Sequence, residues 1–294
     1  MDPFSPKQRA LVDDLVRRLI AIEGVVAVVL GGSYARGRAR PDSDIDLGVL
    51  YSDRAPFAID AVRRLAAAVN DAADPVVTDF YAWGPWVNGG AWLILHGQRV
   101  DVLYRSLEHL ERSIVDAEAG RWELHFGQQA PFGFFSGTYL GELAICKPLA
   151  DPSGRVAVLK RRVESYPEAL RAAVACDALW QAEFGLTAFA GKFAQRGDAY
   201  GTVGCLARAA FYLVLALFAL NRTYLINDKT ALEEIAALAR APHAFAPRVT
   251  RILSHAGASP TELRASVDAM LALCRESADV SDGLYRARYV LPTG

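Results

Sequence analysis

The sequence predicts an α+β protein in which a small mixed sheet occupies the first part of the chain and a helical bundle the second. Up to about residue 105, short apolar segments with a period of two alternate with amphipathic helical segments. From residue 155 onward, Ala, Leu and Arg recur at helical spacing, and no segment has the pattern of a strand. The first part is therefore expected to be a mixed α/β unit and the second to be all-α.

The length of the chain and one turn-rich segment predict two domains. At 294 residues the chain is longer than one typical core supports. The segment Asp151-Pro-Ser-Gly154 combines turn-forming residues at the point where the apolar pattern changes. We therefore predict a first domain over residues 1–150 and a helical domain over residues 151–294.

The elements of the first part follow from apolar spacing and from turn residues. Residues 25–30 are apolar and β-branched enough for a buried strand, and a turn at Gly97-Gln98 divides the apolar segment 92–104 into a hairpin. Helical spacing is found in three segments of the first part. The predicted helices cover residues 6–22, 56–72 and 107–119, and a further strand covers residues 44–50.

A glycine-rich turn after the first strand has the features of a phosphate site. Gly31-Gly32 ends the strand where the backbone must turn sharply or approach a ligand closely. Ser33 begins a short predicted helix over residues 33–37, so its hydroxyl and the first free N–H groups would converge on an anion. A nucleoside triphosphate suits such a turn.

Two carboxylates follow this turn at the start of the next strand. A period of two places Asp44 and Asp46 on one face of the strand and Ile45 on the other. Mg²⁺ prefers one or two carboxylates together with water and phosphate oxygens. The segment therefore predicts a divalent-metal site beside the phosphate turn.

Two other phosphate motifs are excluded. Gly32 and Gly37 have the spacing of a P-loop, but Arg38-Ala39 follows where that motif needs Lys and then Ser or Thr. No G-x-G-x-x-G dinucleotide fingerprint follows the first strand either. The remaining alternative is a glycine-rich turn followed by a solvated acidic strand end.

The motif Gly32-Ser33, ten residues, then Asp44-Ile-Asp46 resembles the signature of the DNA polymerase β-like nucleotidyltransferase superfamily. It is most similar to the bacterial branch that contains minimal nucleotidyltransferases and aminoglycoside and lincosamide adenylyltransferases. The resemblance implies a small mixed sheet and three acidic residues that hold two Mg²⁺ ions. It also implies an NTP donor, with ATP the expected nucleotide, and a helical second domain.

We assign Asp101 as the third acid of this resemblance. It is the only acid between Asp79 and Glu108, and its neighbours Val100 and Val102 place a charge in an otherwise buried strand. The alternative is an ion pair between Asp101 and Arg99 or Arg105 at the edge of the sheet. In the metal role, Asp44 and Asp46 would bind both ions, and Asp101 would bind the catalytic ion.

The resemblance also implies contacts with the nucleotide. Gly32 and Ser33 would bind the β- and γ-phosphates. Residues 220–229 resemble the Asn…Tyr…Lys segment of related two-domain enzymes, in which the lysine reaches the triphosphate, so Lys229 is a nucleotide-binding candidate. A solvated surface lysine is the alternative.

The acceptor is less clearly indicated. Glu142 is an acid near the predicted domain junction that is a candidate general base or acceptor contact; a salt-bridged strand residue is the alternative. The leading hypothesis is transfer of AMP from ATP to a hydroxyl of a small molecule such as an aminoglycoside or lincosamide. The alternatives are transfer to a macromolecule, either tRNA or a protein side chain, and a nucleotide-binding sensor without catalysis.

The net charge and the spacing of the cysteines indicate which partners and cofactors to expect. The formal net charge is −1, and no run of Lys and Arg is longer than residues 160–162, so a nucleic-acid partner is possible but not favoured. The four cysteines lie far apart without C-x-x-C spacing, which indicates neither zinc nor disulfides. No secretion signal is visible at the N-terminus, and the apolar run 209–220 is too short to span a bilayer. A cytoplasmic protein without a membrane partner is expected, and the oligomeric state stays open.

Overall fold

The computed structural model describes residues 3–289, which form two compact units. The first unit contains the residues up to 115 and residues 123–165, and the second contains residues 116–122 and those from 166 onward. Residues 151–165 group with the first unit by their contacts. The domain boundary predicted between residues 150 and 151 stays a prediction.

The elements up to residue 165 alternate between helices and strands. The strands are β1 (Val25–Leu30), β2 (Ile45–Tyr51), β3 (Val76–Val77), β4 (Gly90–Leu95), β5 (Gln98–Ser106), β6 (Leu124–His125), β7 (Phe134–Phe135) and β8 (Lys147–Ala150). The helices are α1 (Pro6–Ile20), α2 (Gly32–Ala35), α3 (Ile59–Val69), α4 (Leu107–Glu118), α5 (Gly137–Ile145) and α6 (Arg155–Val163).

Six of these strands form one mixed sheet in the order β3-β4-β5-β2-β1-β8. Strands β2 and β5 are parallel, and the other neighbours in the sheet are antiparallel. Strands β6 and β7 form a separate antiparallel pair. The mixed sheet predicted from the sequence is confirmed.

One face of the sheet packs into the core. Alternate residues of the central strands are almost fully buried, and they pack in one cluster with apolar residues of α1 and α3. Complete burial of one such aliphatic side chain contributes about 1.5–3 kcal/mol. The cluster includes Val12, Leu15 and Leu19 of α1, Val62 and Ala66 of α3, and Val28, Leu30, Ile45, Leu47, Val49, Val100, Val102 and Tyr104 of the strands.

The start of α1 is held in place by a capping box. The Ser5 hydroxyl accepts the backbone N–H of Gln8, and the Gln8 side chain accepts the backbone N–H of Ser5. The side-chain amide of Gln8 also donates to the Tyr34 hydroxyl at 2.8 Å and to the Gln98 side chain at 3.0 Å. This glutamine therefore ties α1 to α2, which follows the glycine turn, and to β5.

The hairpin between β4 and β5 turns one residue earlier than predicted. Its turn residues are His96 and Gly97, with φ of 52° and 79°, which is the left-handed backbone of a type I′ turn. The Asp71 carboxylate accepts the backbone N–H of Gly97 at 2.8 Å and that of His96 at 2.9 Å. These two hydrogen bonds, that of Gly97 first, lower the pKa of Asp71.

The described residues after 150 contain helices and no strand, as the sequence predicts. The helices of the second unit are α7 (Glu168–Phe184), α8 (Gly191–Gln195), α9 (Ala199–Leu220), α10 (Ala231–Ile235), α11 (Phe245–Ser254) and α12 (Pro260–Asp279). A π-helical segment, Gly185–Ala190, joins α7 to α8 without a break.

Helix α9 contains the apolar run 209–220, which was expected to be too short to span a bilayer, but the helix itself extends from Ala199 to Leu220. Its 22 residues have a mean hydropathy of 2.1 over the most apolar window, and among the described residues it is the single helix long and apolar enough to cross a bilayer. Within the structure 72 % of that window is buried. The core helix of a folded unit shows the same properties, and the expected cytoplasmic location stays a prediction.

Candidate active site

Asp46 and Asp101 lie side by side on the second face of the sheet. Strands β2 and β5 pair in parallel, and their register places Asp46 opposite Asp101. Their neighbours Ile45 and Val100, also in register, are fully buried on the core face. Because residues in register project from the same side of a sheet, the two half-buried carboxylates share the face that α1 and α3 do not cover.

Asp44 precedes β2 by one residue and has a cationic partner. Arg99 Nε lies 2.5 Å from Asp44 Oδ1, so the two side chains form an ion pair. The Asp44 Oδ1 atom is buried, and the geometry of this contact is not that of a hydrogen bond. Arg99 also donates from Nη2 to the Asp42 carbonyl at 3.2 Å. Since Arg99 lies two residues before Asp101 on β5, the sheet places a cation among the predicted metal-binding acids.

The glycine turn is in direct contact with Asp46. The backbone N–H of Gly31 donates to the Asp46 carbonyl at 2.8 Å. Gly32 has a φ of 55°, and a Cβ at this position would lie 1.7 Å from Asp46 Oδ2. Position 32 therefore requires glycine both for its left-handed backbone and for the space that the Asp46 carboxylate occupies.

Ser33 lies in the short helix α2, Gly32–Ala35, which begins one residue earlier than predicted and ends two residues earlier. The next residue, Tyr34, is buried, stacks on Phe4 at 5.2 Å between ring centroids, and accepts a hydrogen bond from Gln8. These contacts fix the segment that carries the Ser33 hydroxyl.

The donor set on this face fits a hard divalent cation. Asp44, Asp46 and Asp101 supply carboxylate oxygens only, which is the chemistry that Mg²⁺ prefers. The Asp46 carboxylate occupies the position where a side chain at residue 32 would begin. Within residues 3–289, no three His, Cys, Asp or Glu side chains are grouped closely enough to surround an ion. In this arrangement Asp44 is held by Arg99, and the pair Asp46 and Asp101 forms the centre of the site.

Arg105 and Glu142 form a second ion pair. Arg105 Nε and Nη2 donate to the two carboxylate oxygens of Glu142 at 3.0 and 3.2 Å, and Arg105 is only 8 % exposed. Burial acts to lower the pKa of Arg105, but the charge and hydrogen bond of Glu142 together with nearby Tyr139 and Asp46 outweigh it, and the pKa is raised. Arg105 is therefore charged, and the pair ties β5 to α5.

The ion pairs of Arg99 and Arg105 concern the alternative roles considered for Asp101 and for Glu142. Arg99 and Arg105, the partners considered for Asp101, pair with Asp44 and Glu142 respectively. The alternative for Glu142 was a salt-bridged residue in a strand. Glu142 does form a salt bridge, but it lies in helix α5, so the expectation of a strand was wrong. The sequence does not reveal this partnership, since residues 105 and 142 are brought together only by the fold.

Three tryptophans near the acids, Trp83, Trp86 and Trp92, have two different environments. Trp92 on β4 is opposite Asp101, is 46 % exposed, and packs against Trp83 at 4.4 Å between ring centroids, with the rings tilted by 31°. Trp86 instead packs against His109 and Tyr139. Burial, together with the charge of Arg112, lowers the pKa of His109, and burial raises the pKa of Tyr139 to about 12. Trp92 and Trp83 therefore lie beside Asp101, whereas Trp86 belongs to an aromatic cluster with His109 and Tyr139.

Sequence reasoning missed the position of Trp92. The signal was present: in a hairpin that turns at residues 96–97, Trp92 falls opposite Asp101 and on the same face. The predicted turn, one residue too late, would have shifted this register.

Lys229 lies in the second unit, in the loop between α9 and α10. Its side chain is exposed, and its backbone N–H donates to Asn227 Oδ1 at 3.0 Å. The contact predicted between Lys229 and a triphosphate stays a prediction.

The first part of the chain has the mixed sheet, glycine turn and paired acids that the resemblance to nucleotidyltransferases implies, and comparison with known families agrees. Residues 12–121 match the nucleotidyltransferase domain family, a range that includes Gly32, Ser33 and all three acids. The chain therefore contains a nucleotidyltransferase domain, which supports the assignment of the protein as a nucleotidyltransferase. Residues 136–229 match a second family, a domain of unknown function named DUF4037.

Among solved structures, a nucleotidyltransferase-like protein from Exiguobacterium sibiricum is similar to this chain. The two share 9 % sequence identity with a TM-score of 0.46, over 93 % of this chain and 78 % of the other. A search of the curated proteins found no match to the sequence.

Proposed function

We propose that the protein transfers a nucleoside monophosphate, AMP from ATP, to a hydroxyl of a small-molecule acceptor in a reaction that depends on two Mg²⁺ ions. The observation that supports this best is the register of Asp46 with Asp101, beside a glycine whose missing side chain leaves room for the Asp46 carboxylate. An aminoglycoside or a lincosamide is the class of acceptor that we propose first.

The reaction is an in-line substitution at the α-phosphorus of the nucleotide. The acceptor oxygen forms a bond to this phosphorus, the bond to the bridging oxygen of pyrophosphate breaks, and the acceptor loses its hydroxyl proton. Divalent cations bound here would supply Lewis acidity toward the phosphate oxygens and the attacking hydroxyl. Asp44, Asp46 and Asp101 would hold them, and Asp101 is also our candidate for accepting the proton.

Residues around the acids would position the donor. The backbone at Gly32 and the Ser33 hydroxyl would contact the nucleotide, with the hydroxyl donating a hydrogen bond to the β- or γ-phosphate. Lys229 would add a positive charge to the triphosphate. The contact of Glu142 with an acceptor stays a prediction, and its pairing with Arg105 through both oxygens leaves that role weakly supported.

Acidic and aromatic groups on the open face support a small acceptor with ammonium groups. Asp46 and Asp101 lie on this face and would attract such groups, while Arg99 pairs with Asp44. Trp92 and Trp83 beside Asp101 offer flat apolar surfaces on which a sugar or ring can stack.

The test is transfer of label from α-³²P nucleotides in the presence of Mg²⁺. ATP, GTP, CTP and UTP would each be incubated with aminoglycosides, lincosamides, tRNA and cell lysate, and pyrophosphate release would be measured in parallel. We expect labelled antibiotic with ATP, and no label with the Asp46→Asn variant. Label on tRNA or on a protein would replace the small-molecule acceptor. If neither label transfer nor pyrophosphate release occurs under any condition, a nucleotide-binding sensor is the better description.

A further inference from the structure

The second unit contains a pocket that the proposed reaction does not use. It has a volume of about 310 Å³, at the lower end of the range for small-molecule sites. Three arginines line it: Arg171 of α7, Arg222 just after α9, and Arg240 in the segment before α11. Residues 281–284, which follow α12, complete the wall.

The three guanidinium groups retain most of their hydrogen-bond donors. Arg171 and Arg222 each use only Nε, and both donate to the Glu168 carboxylate. Arg240 uses only Nη1, which donates to Asp282. In the described part of the chain, the other guanidinium nitrogens of these arginines have no protein acceptor. Three positive charges face two negative ones here, which leaves a local excess of one.

The pocket is held in shape by contacts of the backbone. The Asn221 side chain donates to the Arg240 carbonyl at 2.8 Å and accepts the Arg240 backbone N–H at 2.9 Å. The hydroxyl of Ser281, which is buried, accepts the backbone N–H of Tyr285 at 3.1 Å. Because these contacts fix the segments on both sides of the pocket, a ligand would bind without ordering them first.

We propose that this pocket binds a small molecule that carries a phosphate group. Guanidinium groups match phosphate oxygens in geometry and charge, and the terminal oxygens of a phosphoryl group can each accept from a different arginine. The volume admits a pyrophosphate or a sugar phosphate. A nucleic-acid strand would require an extended basic stripe, whereas Glu168 and Asp282 interrupt the positive charge here.

The test is isothermal titration calorimetry of the full chain with pyrophosphate, in EDTA so that metal-dependent binding elsewhere is suppressed. We expect one site whose affinity falls at least tenfold in Arg222→Gln and in Arg240→Gln and also falls as salt is raised. Arg251→Gln, a change of an exposed arginine in α11 of the same unit, is the matched control and should bind as the unchanged protein does. Thermal melts would show that each variant is folded.

Other results would overturn the proposal. Binding that is lost in Ser33→Ala but retained in Arg222→Gln would place pyrophosphate at the transferase site. No heat of binding with pyrophosphate or inorganic phosphate would remove the pocket as a phosphate site. Tighter binding of citrate than of pyrophosphate would make it a carboxylate site, and tighter binding of an RNA oligonucleotide would indicate a nucleic-acid contact. The proposed transferase activity stands or falls separately, since it is measured by label transfer.

Discussion

The two faces of the central sheet are built from the same strands but serve different purposes. On β2 and β5, Leu47 and Val102 project into the core, while Asp46 and Asp101 project from the other face. The core face excludes water and supplies free energy of folding. The open face keeps charged groups within reach of ligands. Neighbouring residues should therefore respond to substitution in different measurements.

Asp46→Asn should give the largest effect on activity. The change removes one negative charge from the proposed metal site, and loss of several kcal/mol of transition-state stabilisation corresponds to a decrease in turnover on the order of 10³-fold. The melting temperature should change little, since Asp46 is only half-buried and Asn has nearly the same size. Asp42→Asn, at an exposed position four residues earlier, is the control. Near-normal turnover in Asp46→Asn would remove this residue from the site.

Leu47→Ala should give the reverse pattern at the adjacent residue. Leu47 is fully buried, so truncation leaves a cavity and should lower the free energy of unfolding by about 2–5 kcal/mol, measured by urea denaturation. Turnover per folded molecule should change little. Ile94→Ala, on the open face and 43 % exposed, should cost less than about 0.5 kcal/mol. Equal losses in the free energy of unfolding for Leu47→Ala and Ile94→Ala would contradict the distinction between the core face and the open face.

Gly32→Ala and Gly37→Ala form a matched pair that tests the contact between the turn and Asp46. Both glycines have positive φ, at 55° and 68°, so each change should cost about 1–2 kcal/mol in backbone strain. A Cβ at position 37 has nothing within 4 Å, whereas one at position 32 overlaps the Asp46 carboxylate. Only Gly32→Ala should therefore lower turnover strongly. A similar loss in both variants would assign the effect to backbone strain alone.

Arg99→Gln should give the smallest effect. In the ion pair between Arg99 and Asp44, the Arg99 side chain is mostly exposed, and pairs near the surface contribute about 0.2–1 kcal/mol. If Arg99 competes with a cation for Asp44, its removal should lower the Mg²⁺ concentration for half-maximal activity by about two- to fivefold. A higher Mg²⁺ requirement in the variant would instead indicate that Arg99 supports metal or nucleotide binding.

Local patterns predicted the fold better than the contacts between distant segments. The bounds of β1 were predicted as observed, and the helical character of the second part was correct. The short strands β3, β6, β7 and β8 were not predicted, because segments of two to four residues carry too little periodicity. Helix α5 was expected as a strand around Glu142, where helical and strand patterns are hard to distinguish in a short apolar segment.

For the candidate active site and the second-unit pocket too, the sequence reveals local motifs but not contacts between distant residues. Gly32, Ser33, Asp44 and Asp46 form one local motif, and the sequence therefore singled them out. The ion pairs of Arg99 and Arg105, and the grouping of three arginines around the second-unit pocket, join residues far apart in the chain. No local pattern encodes such groupings, since they depend on how the helices and strands pack.

The parallel pairing of β2 with β5 also has a consequence for how the protein is made. Parallel strands cannot be joined by a tight turn, and here residues 52–97, with α3, β3 and β4, form the connection. Asp46 and Asp101 therefore meet only after this connection has closed a long loop, a slow event compared with formation of a local helix. During synthesis, a chain that has not yet exposed residue 101 carries the glycine turn without its second carboxylate. With the roles proposed for these two acids, nucleotide transfer would begin only after β2 and β5 have paired.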